Sequence, residues 1–338
     1  MPDPSPTAVL VTCFGGEWLQ RAIASLRAQS HAPAHIVVAV SHPHPIHLPA
    51  EATDLTIVRR PTPSGFAPTA NLGLAHVRDG PVLVLNDDTE ASPDFIAAMV
   101  RALTTHGPGI YQPRIVLADP TDGVERIDNT GHRLFFDGFN LARERGRPLA
   151  HSRGPACGEV GAFSGAAVLF SREVLDATGG FDADLDAFGE DLDLSLRARR
   201  RGFRIRFVDD ALIRHALGAS YGRTGARKVF LIERNRTRAA LRSLPTSAVA
   251  TLPVWTGLRL TALGTAALLG RGVGSGVGLK GTAAALLGGL AGFATAPDAL
   301  RKRLRDRRHW TTTDREMWRH LLRHHARPED FLSTGTAP

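Results

Sequence analysis

Short apolar runs alternate with helix-like segments in the N-terminal part of the chain. The apolar runs occupy residues 8–14, 35–40, 55–60 and 81–85. The helix-like segments, in which apolar residues recur at helical spacing, occupy residues 17–30, 68–80 and 93–107. This alternation is typical of βαβ units. It predicts an α/β fold of Rossmann-like type, with a mainly parallel sheet and helices on both of its faces.

The middle of the chain changes character. From about residue 110 to residue 160 the pattern loosens into loops rich in Gly, Asp and Arg, as in insertions that shape a substrate site. Regular patterns return at 166–170, which predicts a strand, and at 188–203, where carboxylates open a helix and arginines close it. A strand predicted at 203–208 leads to His215.

The C-terminal part is rich in Ala, Gly and Leu between residues 248 and 295. Two windows there approach membrane-spanning length, but they contain Arg259 and Lys280, and each charge costs about 2.5 to 3.5 kcal/mol at the bilayer centre. We therefore expect packed or interfacial helices. The run at 301–309 holds six Lys or Arg. It predicts either a solvated helix face or attachment to an anionic membrane.

The end of the predicted strand at 81–85 runs directly into Asn86, Asp87 and Asp88. Ligands of open α/β sheets bind at the carboxyl edge of the strands, where these side chains would lie. Adjacent carboxylates in a crevice repel each other unless a cation or hydrogen-bond donors compensate, so a divalent metal site is one interpretation. A simple turn, with Ser92 or Asp94 capping the next helix, is the other.

Composition and charge narrow the function. A chain of 338 residues with 43% hydrophobic content holds a substantial core and, as a prior, about two domains. The net charge of +8 favours anionic partners. Two cysteines, Cys13 and Cys157, are too few for a disulfide framework and fit a reducing cytosol, with Cys13 as a core residue of the first strand. The N-terminus has no signal-peptide pattern. The absence of a G-x-G-x-x-G fingerprint after that strand disfavours a dinucleotide-binding oxidoreductase.

Seven motifs, in order and over about residues 7–240, resemble a known family. They are VTCFGGEWLQRAIASLRAQS, SGFAPTANLGL, LNDDT, SGAAVLFSREVLDATGGFD, FGEDLDLSLRARRRG, HALGAS and ERN. The chain resembles the inverting nucleotide-sugar glycosyltransferases of family 2, which have the GT-A fold, and among them the rhamnosyltransferase-like branch. The resemblance implies a nucleotide-sugar-binding half at 1–110 and an acceptor-binding and catalytic half at 111–245. The composition of residues 246–338 predicts a C-terminal helical region, with association with a membrane as one interpretation.

The resemblance also implies roles for individual residues. Asp88 matches the ligand that links Mn²⁺ or Mg²⁺ to the donor diphosphate, and His215 matches a further metal or diphosphate contact. Asn86 stands where many relatives have an aspartate, so weaker metal binding is expected. Asp191 matches the catalytic base, and the adjacent Glu190 is the alternative. Taken singly, the carboxylates of this helix also fit dipole compensation and N-capping.

Contacts with the donor are implied for a larger set, which comprises Thr12, Phe14, Gly65, Phe66, Asn71, Asn86 and Asp87. The loop 41–47 lacks the carboxylate that relatives usually place beside the nucleobase. We hypothesise that a neutral ring nitrogen of His42 or His44 replaces it, which makes donor binding weaken as the imidazole becomes protonated. A solvent-exposed loop is the alternative.

The expected reaction is a single in-line displacement in which a carboxylate removes the proton of an acceptor hydroxyl while a metal stabilises the leaving diphosphate. Only Arg308-His309-Trp310 approaches the Q-x-x-R-W motif of processive relatives, so one sugar per encounter is expected. The first donor to test is dTDP-L-rhamnose. The first acceptor is a lipid-linked or cell-envelope glycan, at the cytoplasmic side of the plasma membrane.

Two other classes compete with this enzyme. A catalytically silent sugar-nucleotide-binding scaffold is favoured by Asn86 and by the altered loop after the second strand. A nucleic-acid-binding protein is suggested by the pI of about 10.5. It is disfavoured because the arginines are not interleaved with aromatic stacking residues and no known motif is present.

Overall fold

The computed structural model describes residues 5–46, 55–120, 122–155, 158–217, 225–268, 278–327 and 330–331. Its strands are β1 (Thr7–Thr12), β2 (His35–Val40), β3 (Leu55–Arg59), β4 (Val82–Asn86), β5 (Thr89–Ala91), β6 (Gly109–Leu117), β7 (Ile127–Asn129), β8 (His132–Leu134), β9 (Asn140–Ala142), β10 (Ala167–Phe170) and β11 (Arg204–His215). Its helices are α1 (Glu17–Arg27), α2 (Phe66–Leu74), α3 (Phe95–His106), α4 (Arg172–Thr178), α5 (Glu190–Arg200), α6 (Ala226–Ser243), α7 (Thr246–Ala250), α8 (Leu252–Leu268), α9 (Gly278–Ala294), α10 (Ala296–Arg307) and α11 (Asp314–Arg323).

One large sheet organises the molecule, with strands in the order β3-β2-β1-β4-β10-β6-β11-β5 and β7 paired to β6. The first four strands are parallel, as are β6 and β11, whereas β10 runs antiparallel between β4 and β6. The predicted α/β fold with a mainly parallel sheet is therefore confirmed. The division at 110 and 245 stays a prediction.

Continuous apolar strands are explained by cores on both faces of this sheet. In β1, Ala8 and Leu10 pack with α1 and α3, while Val9 and Val11 face the opposite side, towards α2, α4 and α5. Successive side chains of a strand point to opposite faces, so in a strand covered on both sides every position is buried and apolar residues are favoured throughout.

The region predicted as loops contains a central strand. Strand β6 lies between β10 and β11, and the shorter strands β7, β8 and β9 follow it. The sequence Gln112-Pro113-Arg114 interrupts the apolar run of β6, yet Gln112 is fully buried and its side-chain oxygen accepts from the backbone N–H of Ser164 at 2.6 Å. A buried polar residue with its own partner hid this strand from the hydrophobic pattern.

Two other boundaries differ from expectation. Strand β1 ends at Thr12, so Cys13 lies beyond it and is half-buried instead of being part of the strand core. Strand β11 continues past residue 208 to His215, with an irregularity between Val208 and Leu212 that accommodates two consecutive aspartates. Cys157 lies outside the described residues.

The C-terminal region is helical, as predicted. Helices α6, α7, α8, α10 and α11 share one hydrophobic cluster with α5 and β8, and α9 packs along α6. Within the described residues, no single helix combines the length and the hydropathy that crossing a bilayer requires. The segments Lys280–Ala294 and Ala296–Arg307 reach that combination only together, with a bend of 55° between them.

Candidate active site

The ends of two parallel strands place several predicted donor-binding residues at one edge of the sheet. Thr12 is the last residue of β1, and Asn86 is the last residue of the neighbouring β4. The hydroxyl of Thr12 donates to the carboxylate of Asp87, and it accepts from the backbone N–H of Gly15 at 2.9 Å. Asp87 is therefore buried and turned towards β1.

The next carboxylate, that of Asp88, turns to a different partner. Strand β5 pairs antiparallel with β11 so that Thr89 lies opposite His215. This pairing brings Nε2 of His215 to 3.2 Å from Oδ1 of Asp88. Both side chains are buried, with 8% of His215 and 5% of Asp88 exposed. The two residues that the sequence predicts as metal contacts thus meet in the structure.

A third buried residue, Asp128 of β7, completes this array. Its Oδ2 lies 2.9 Å from Nδ1 of His215, and its Oδ1 accepts from Nη1 of Arg145 at 2.5 Å. The imidazole of His215 is therefore held between two carboxylates. Asp128 lies in the region that sequence analysis treated as loops, where many charged residues occur and nothing singles it out.

The array fixes the charge of the imidazole. Burial by itself lowers the pKa of His215, but its hydrogen bonds and ion pairs with Asp128 and Asp88 outweigh burial and raise the pKa to about 10. Burial would also raise the pKa of Asp128, and the contacts with His215 and Arg145 lower it instead. Protonated His215 compensates Asp88 and, together with Arg145, Asp128.

The donor atoms of this array fit a divalent metal. A carboxylate oxygen and an imidazole nitrogen are both ligands of Mn²⁺, and a metal-binding histidine commonly donates its other ring N–H to a carboxylate, as His215 does to Asp128. Metal binding at Nε2 requires loss of its proton. Among the described residues no group of three or more His, Cys, Asp or Glu is arranged around a metal position. Asp88 and His215 would therefore leave coordination positions for a diphosphate and water.

A second set of carboxylates stands at the start of α5. Gly189 precedes the helix with a φ of 87°, and a Cβ there would lie 3.1 Å from that of Asn235. The amide of Asn235, in α6, donates to the backbone carbonyls of three residues in the loop before α5, which are Leu185, Ala187 and Phe188. This asparagine belongs to the ERN motif, and it holds the turn that delivers Glu190 and Asp191.

Glu190 and Asp191 have different surroundings. Glu190 is buried, and its Oε2 has no hydrogen-bond partner among the described residues. Burial, together with the negative charges of Asp191 and Asp186, raises the pKa of Glu190 to about 8. Asp191 is half-buried, and it accepts from the backbone N–H of Leu192 at 2.7 Å and of Gly165 at 3.4 Å. The more accessible carboxylate is therefore Asp191.

His132 connects the two sets of carboxylates. This buried residue of β8 interacts electrostatically with Asp191 on one side and with Asp128 on the other. Burial lowers the pKa of His132, and the two carboxylates oppose that effect without overcoming it. His132 is therefore near enough to both sets of carboxylates to interact with each electrostatically, while its ring nitrogens lie within hydrogen-bond distance of Asn129 and Asn140.

The segment predicted to run beside the nucleotide is bound to the loop before α5. The backbone N–H of Gly65 donates to Oδ1 of Asp186 at 2.6 Å, and a Cβ on Gly65 would lie 2.5 Å from the carbonyl oxygen of Asp186. Asn71 donates to and accepts from the backbone of Phe181, against whose ring Phe66 packs edge-on. These contacts position the segment, and donor contacts by Gly65, Phe66 and Asn71 stay predictions.

Aromatic rings stand beyond the ends of β1 and β2. Phe14 is 65% exposed, and its ring centroid is 6.3 Å from that of His42, which in turn is 5.5 Å from that of His44. An exposed phenylalanine beside two imidazoles is suited to stacking on a flat base. The contact of Phe14, His42 or His44 with a nucleobase stays a prediction, and His47 lies outside the described residues.

Sequence reasoning missed Asp128, Arg145 and His132. The only signal for them was their position in the Gly-, Asp- and Arg-rich stretch between the two motif clusters. The HALGAS motif is described only as far as Leu217, and its residues 218–220 lie outside the described part.

Comparisons with known proteins agree with this architecture. A crystal structure of GalNAc-T7 with UDP, GalNAc and Mn²⁺ superposes with a TM-score of 0.56 at 16% identity, covering 74% of this chain and 50% of that one. A mannosyltransferase from Pyrobaculum calidifontis, in complex with GDP-Man and Mn²⁺, gives a TM-score of 0.49 at 18% identity and covers 90% of this chain and 88% of its own. The superposition with GalNAc-T7 shows that the fold is that of the GT-A glycosyltransferases.

Sequence comparison identifies related proteins and the family of this chain. Uncharacterized proteins of Mycobacterium tuberculosis and Mycobacterium bovis are 31% identical over 140 residues. The match covers 39% of this chain and 45% of the length of each relative, so this chain spans less than half of the relatives it matches. The model of the glycosyltransferase-like family 2 matches residues 4–240. Most of the chain, including every residue of the candidate site, lies in that match, and the chain belongs to glycosyltransferase-like family 2.

Proposed function

We propose that this chain is a metal-dependent, inverting and non-processive glycosyltransferase, which moves one sugar from a nucleotide diphosphate donor to an acceptor hydroxyl. The observation that carries the proposal is the buried Asp88–His215–Asp128 array at the sheet edge, together with the carboxylates Glu190 and Asp191 at the start of α5. The similar GalNAc-T7 structure, which contains UDP, GalNAc and Mn²⁺, supports this class of donor and metal.

Asp88 and His215 would hold the metal, and Asp128 would orient the imidazole. A divalent cation at this position stabilises the charge that develops on the leaving diphosphate. Arg145 and Lys228 supply further positive charge beside the array, because Arg145 pairs with Asp128 and both cations interact electrostatically with that carboxylate. Thr12 keeps Asp87 turned towards β1, so the two adjacent aspartates have separate roles.

Asp191 is the base in this proposal. A base must reach the acceptor hydroxyl and must be ionised when the sugar–oxygen bond breaks. Glu190 is buried, and with its pKa raised to about 8 it is mostly protonated at neutral pH. Asp191 is more accessible, and its contacts with the N–H groups of Leu192 and Gly165 orient the carboxylate.

The donor and the acceptor extend the proposal. Similarity to the rhamnosyltransferase-like branch makes L-rhamnose from dTDP-rhamnose the first donor. A lipid-linked or cell-envelope glycan is the first acceptor, used at the cytoplasmic face of the plasma membrane. The second candidate is a silent sugar-nucleotide-binding scaffold. It is favoured by Asn86, which occupies the position at which many relatives have an aspartate.

A metal and donor screen separates the two candidates. Thermal shifts with dTDP-, UDP- and GDP-sugars, with and without Mn²⁺, detect binding because a ligand that prefers the native state raises its stability. Hydrolysis or transfer of the donor that binds best then tests catalysis. Metal-dependent turnover is expected. Metal-dependent binding without turnover for any donor and acceptor glycan would favour the scaffold, and activity that persists in excess chelator would remove the metal from the mechanism.

A further inference from the structure

Helix α9 has its small residues inside and its large apolar residues outside. Its buried positions are Gly281, Ala284, Gly288 and Gly292, which face α6. A Cβ on Gly288 would lie 2.4 Å from the carbonyl oxygen of Phe230, so only glycine permits this approach. The outward positions include Leu286, Leu287 and Leu290, which are 54%, 59% and 66% exposed. A helix on a water-facing surface normally has the reverse distribution.

Helix α8 has the same inverted arrangement. Its one charged residue, Arg259, is buried, and it donates to Asp137 at 2.7 Å and to both carboxylate oxygens of Glu233 at 2.9 and 2.8 Å. On the other side, Val254 and Leu258 are 62% and 56% exposed. The outward face of α8 therefore has apolar residues and no charge among its described side chains.

Helix α10 adds positive charge beside exposed leucines. Leu300 and Leu304 are exposed one turn apart, and Arg301 and Arg305, also one turn apart, are exposed beside them. Of the other basic residues at 301–309, two are paired or buried within the protein and two are exposed. Lys302 binds Asp182 and Asp184, and Arg303 is buried and donates to the carbonyl of Leu244 at 2.7 Å, whereas Arg307 and Arg308 are exposed. The six basic residues expected from sequence to face a membrane are thus reduced to four.

We infer that the outward faces of α8, α9 and α10 form a surface that inserts shallowly into an anionic lipid membrane. We define this docking surface by Val254, Leu258, Leu286, Leu287, Leu290, Leu300 and Leu304, with Arg301, Arg305, Arg307 and Arg308 as its cationic residues. Apolar side chains flanked by arginines are the composition of helices that lie in the headgroup region. The inference goes beyond the proposed reaction and is independent of the sugar that is transferred.

Two observations favour a lipid surface over other occupants. A second copy of the chain on this surface would bring like-charged arginines together, whereas anionic headgroups complement them. A membrane span is disfavoured because Arg259 ties α8 to Asp137 and Glu233, and α9 packs along α6. Glu233 of α6 also contacts both helices, through Arg259 and Gly288, so both are packed against the catalytic region.

Vesicle flotation of the full chain tests the surface. The wild type is expected to float with vesicles of phosphatidylcholine and phosphatidylglycerol and to bind pure phosphatidylcholine much less. Leu290→Glu is expected to reduce the bound fraction about tenfold or more, since a carboxylate disfavours insertion. Leu322→Glu is the matched control, because Leu322 is also an exposed leucine (56%, against 66% for Leu290) but lies on α11, outside the surface. The binding of this variant should equal that of the wild type.

A second variant and two readouts make the outcome decisive. Arg301→Gln with Arg305→Gln removes two of the four cationic residues and should clearly reduce the preference for anionic vesicles, and salt should weaken wild-type binding. Circular dichroism and the donor-induced thermal shift, measured without vesicles, report on folding and on the proposed transferase separately. Absence of wild-type flotation, or equal losses for Leu290→Glu and Leu322→Glu, would overturn the inference. So would a wild-type dimer in sedimentation equilibrium that Leu290→Glu dissociates, because that result assigns the surface to a second copy.

Discussion

The start of α5 and the inner face of α8 both bury a charged residue, but they treat that residue in opposite ways. Glu190 has an oxygen without a hydrogen-bond partner among the described residues, and it lies near two other carboxylates, Asp186 and Asp191. Arg259 is fully paired with Asp137 and Glu233, and its guanidinium also lies 4.4 Å from the ring of Phe139. The buried carboxyl of Glu190 lies among carboxylates and keeps its proton at neutral pH, whereas the charge of Arg259 is compensated by two carboxylates.

This difference separates a functional site from a structural anchor. Uncompensated buried charge raises the free energy of the native state, and such groups are concentrated at active sites, where their altered pKa values serve catalysis. A buried ion pair with complete hydrogen bonding contributes little net stability, but removing one partner leaves the other charge buried and uncompensated. Charge removal should therefore lower the stability of the protein at Arg259 and raise it at Glu190.

The largest expected effect is at the anchor. Arg259→Ala removes one of the two buried cations that pair with Asp137 and Glu233 and leaves only Arg236 beside them; breaking a buried pair of this kind costs about 3 to 5 kcal/mol of unfolding free energy. Urea unfolding of the variant measures this loss. Arg301→Ala is the control, because Arg301 is 75% exposed and should change stability by less than about 0.5 kcal/mol. Similar losses for the two variants would show that the buried cluster is not an anchor.

At the active site, Asp191→Asn should lower turnover by a factor of about 10² or more while donor binding stays nearly unchanged. The amide keeps the size of the side chain but cannot accept the proton of the acceptor hydroxyl. Single-turnover transfer, together with the donor-induced thermal shift, measures the two properties separately. Near-normal turnover would transfer the role of base to Glu190, and a parallel loss of donor binding would indicate a positioning role for Asp191.

Asp128→Asn tests the array around His215. The substitution removes the carboxylate that orients the imidazole, and loss of such a partner typically lowers metal affinity by about 10- to 100-fold. The Mn²⁺ concentration that gives half of the maximal thermal shift in the presence of donor is the measurement. Asp209→Asn is a matched control, since Asp209 also pairs with an arginine, Arg114, but is exposed. Unchanged Mn²⁺ dependence in Asp128→Asn would exclude this role for Asp128.

The two regions were predictable from sequence to different degrees. The site residues Asp88, Glu190 and Asp191 lie in local motifs at strand and helix ends, so short-range patterns were sufficient to find them. Arg259 was recognised only as a cost to membrane insertion, because its partners Asp137 and Glu233 lie 122 and 26 residues away. Strand and helix patterns carry no information about such distant pairs, which only the tertiary fold brings together.

The same limitation applies within the sheet and the site. Strand β6 was missed because Gln112 is a buried polar residue whose partner, Ser164, lies 52 residues further along the chain. Asp128 was missed because its partner His215 is 87 residues away. Strands with continuous apolar sequence, such as β1, β2 and β4, were found because burial on both faces leaves a local signature.

The effect expected at Glu190 depends on pH, and it has the opposite sign to that at Arg259. The pKa of Glu190 is raised from an ordinary 4.5 to about 8 in the native state. Between these two values the unfolded chain has lost the proton and the native protein has kept it, so the stability that protonation contributes is lost as the pH rises through this window.

Glu190→Gln keeps a neutral side chain at every pH. It should match the wild type near pH 4.5 and exceed its unfolding free energy by about 1 kcal/mol or more at pH 8.5. Urea midpoints across this range measure the difference, with Glu90→Gln on the exposed side of β5 as the control. A difference that does not change with pH, or a variant less stable than the wild type at pH 8.5, would mean that the Glu190 carboxylate is compensated, and the contrast with Arg259 would then be lost.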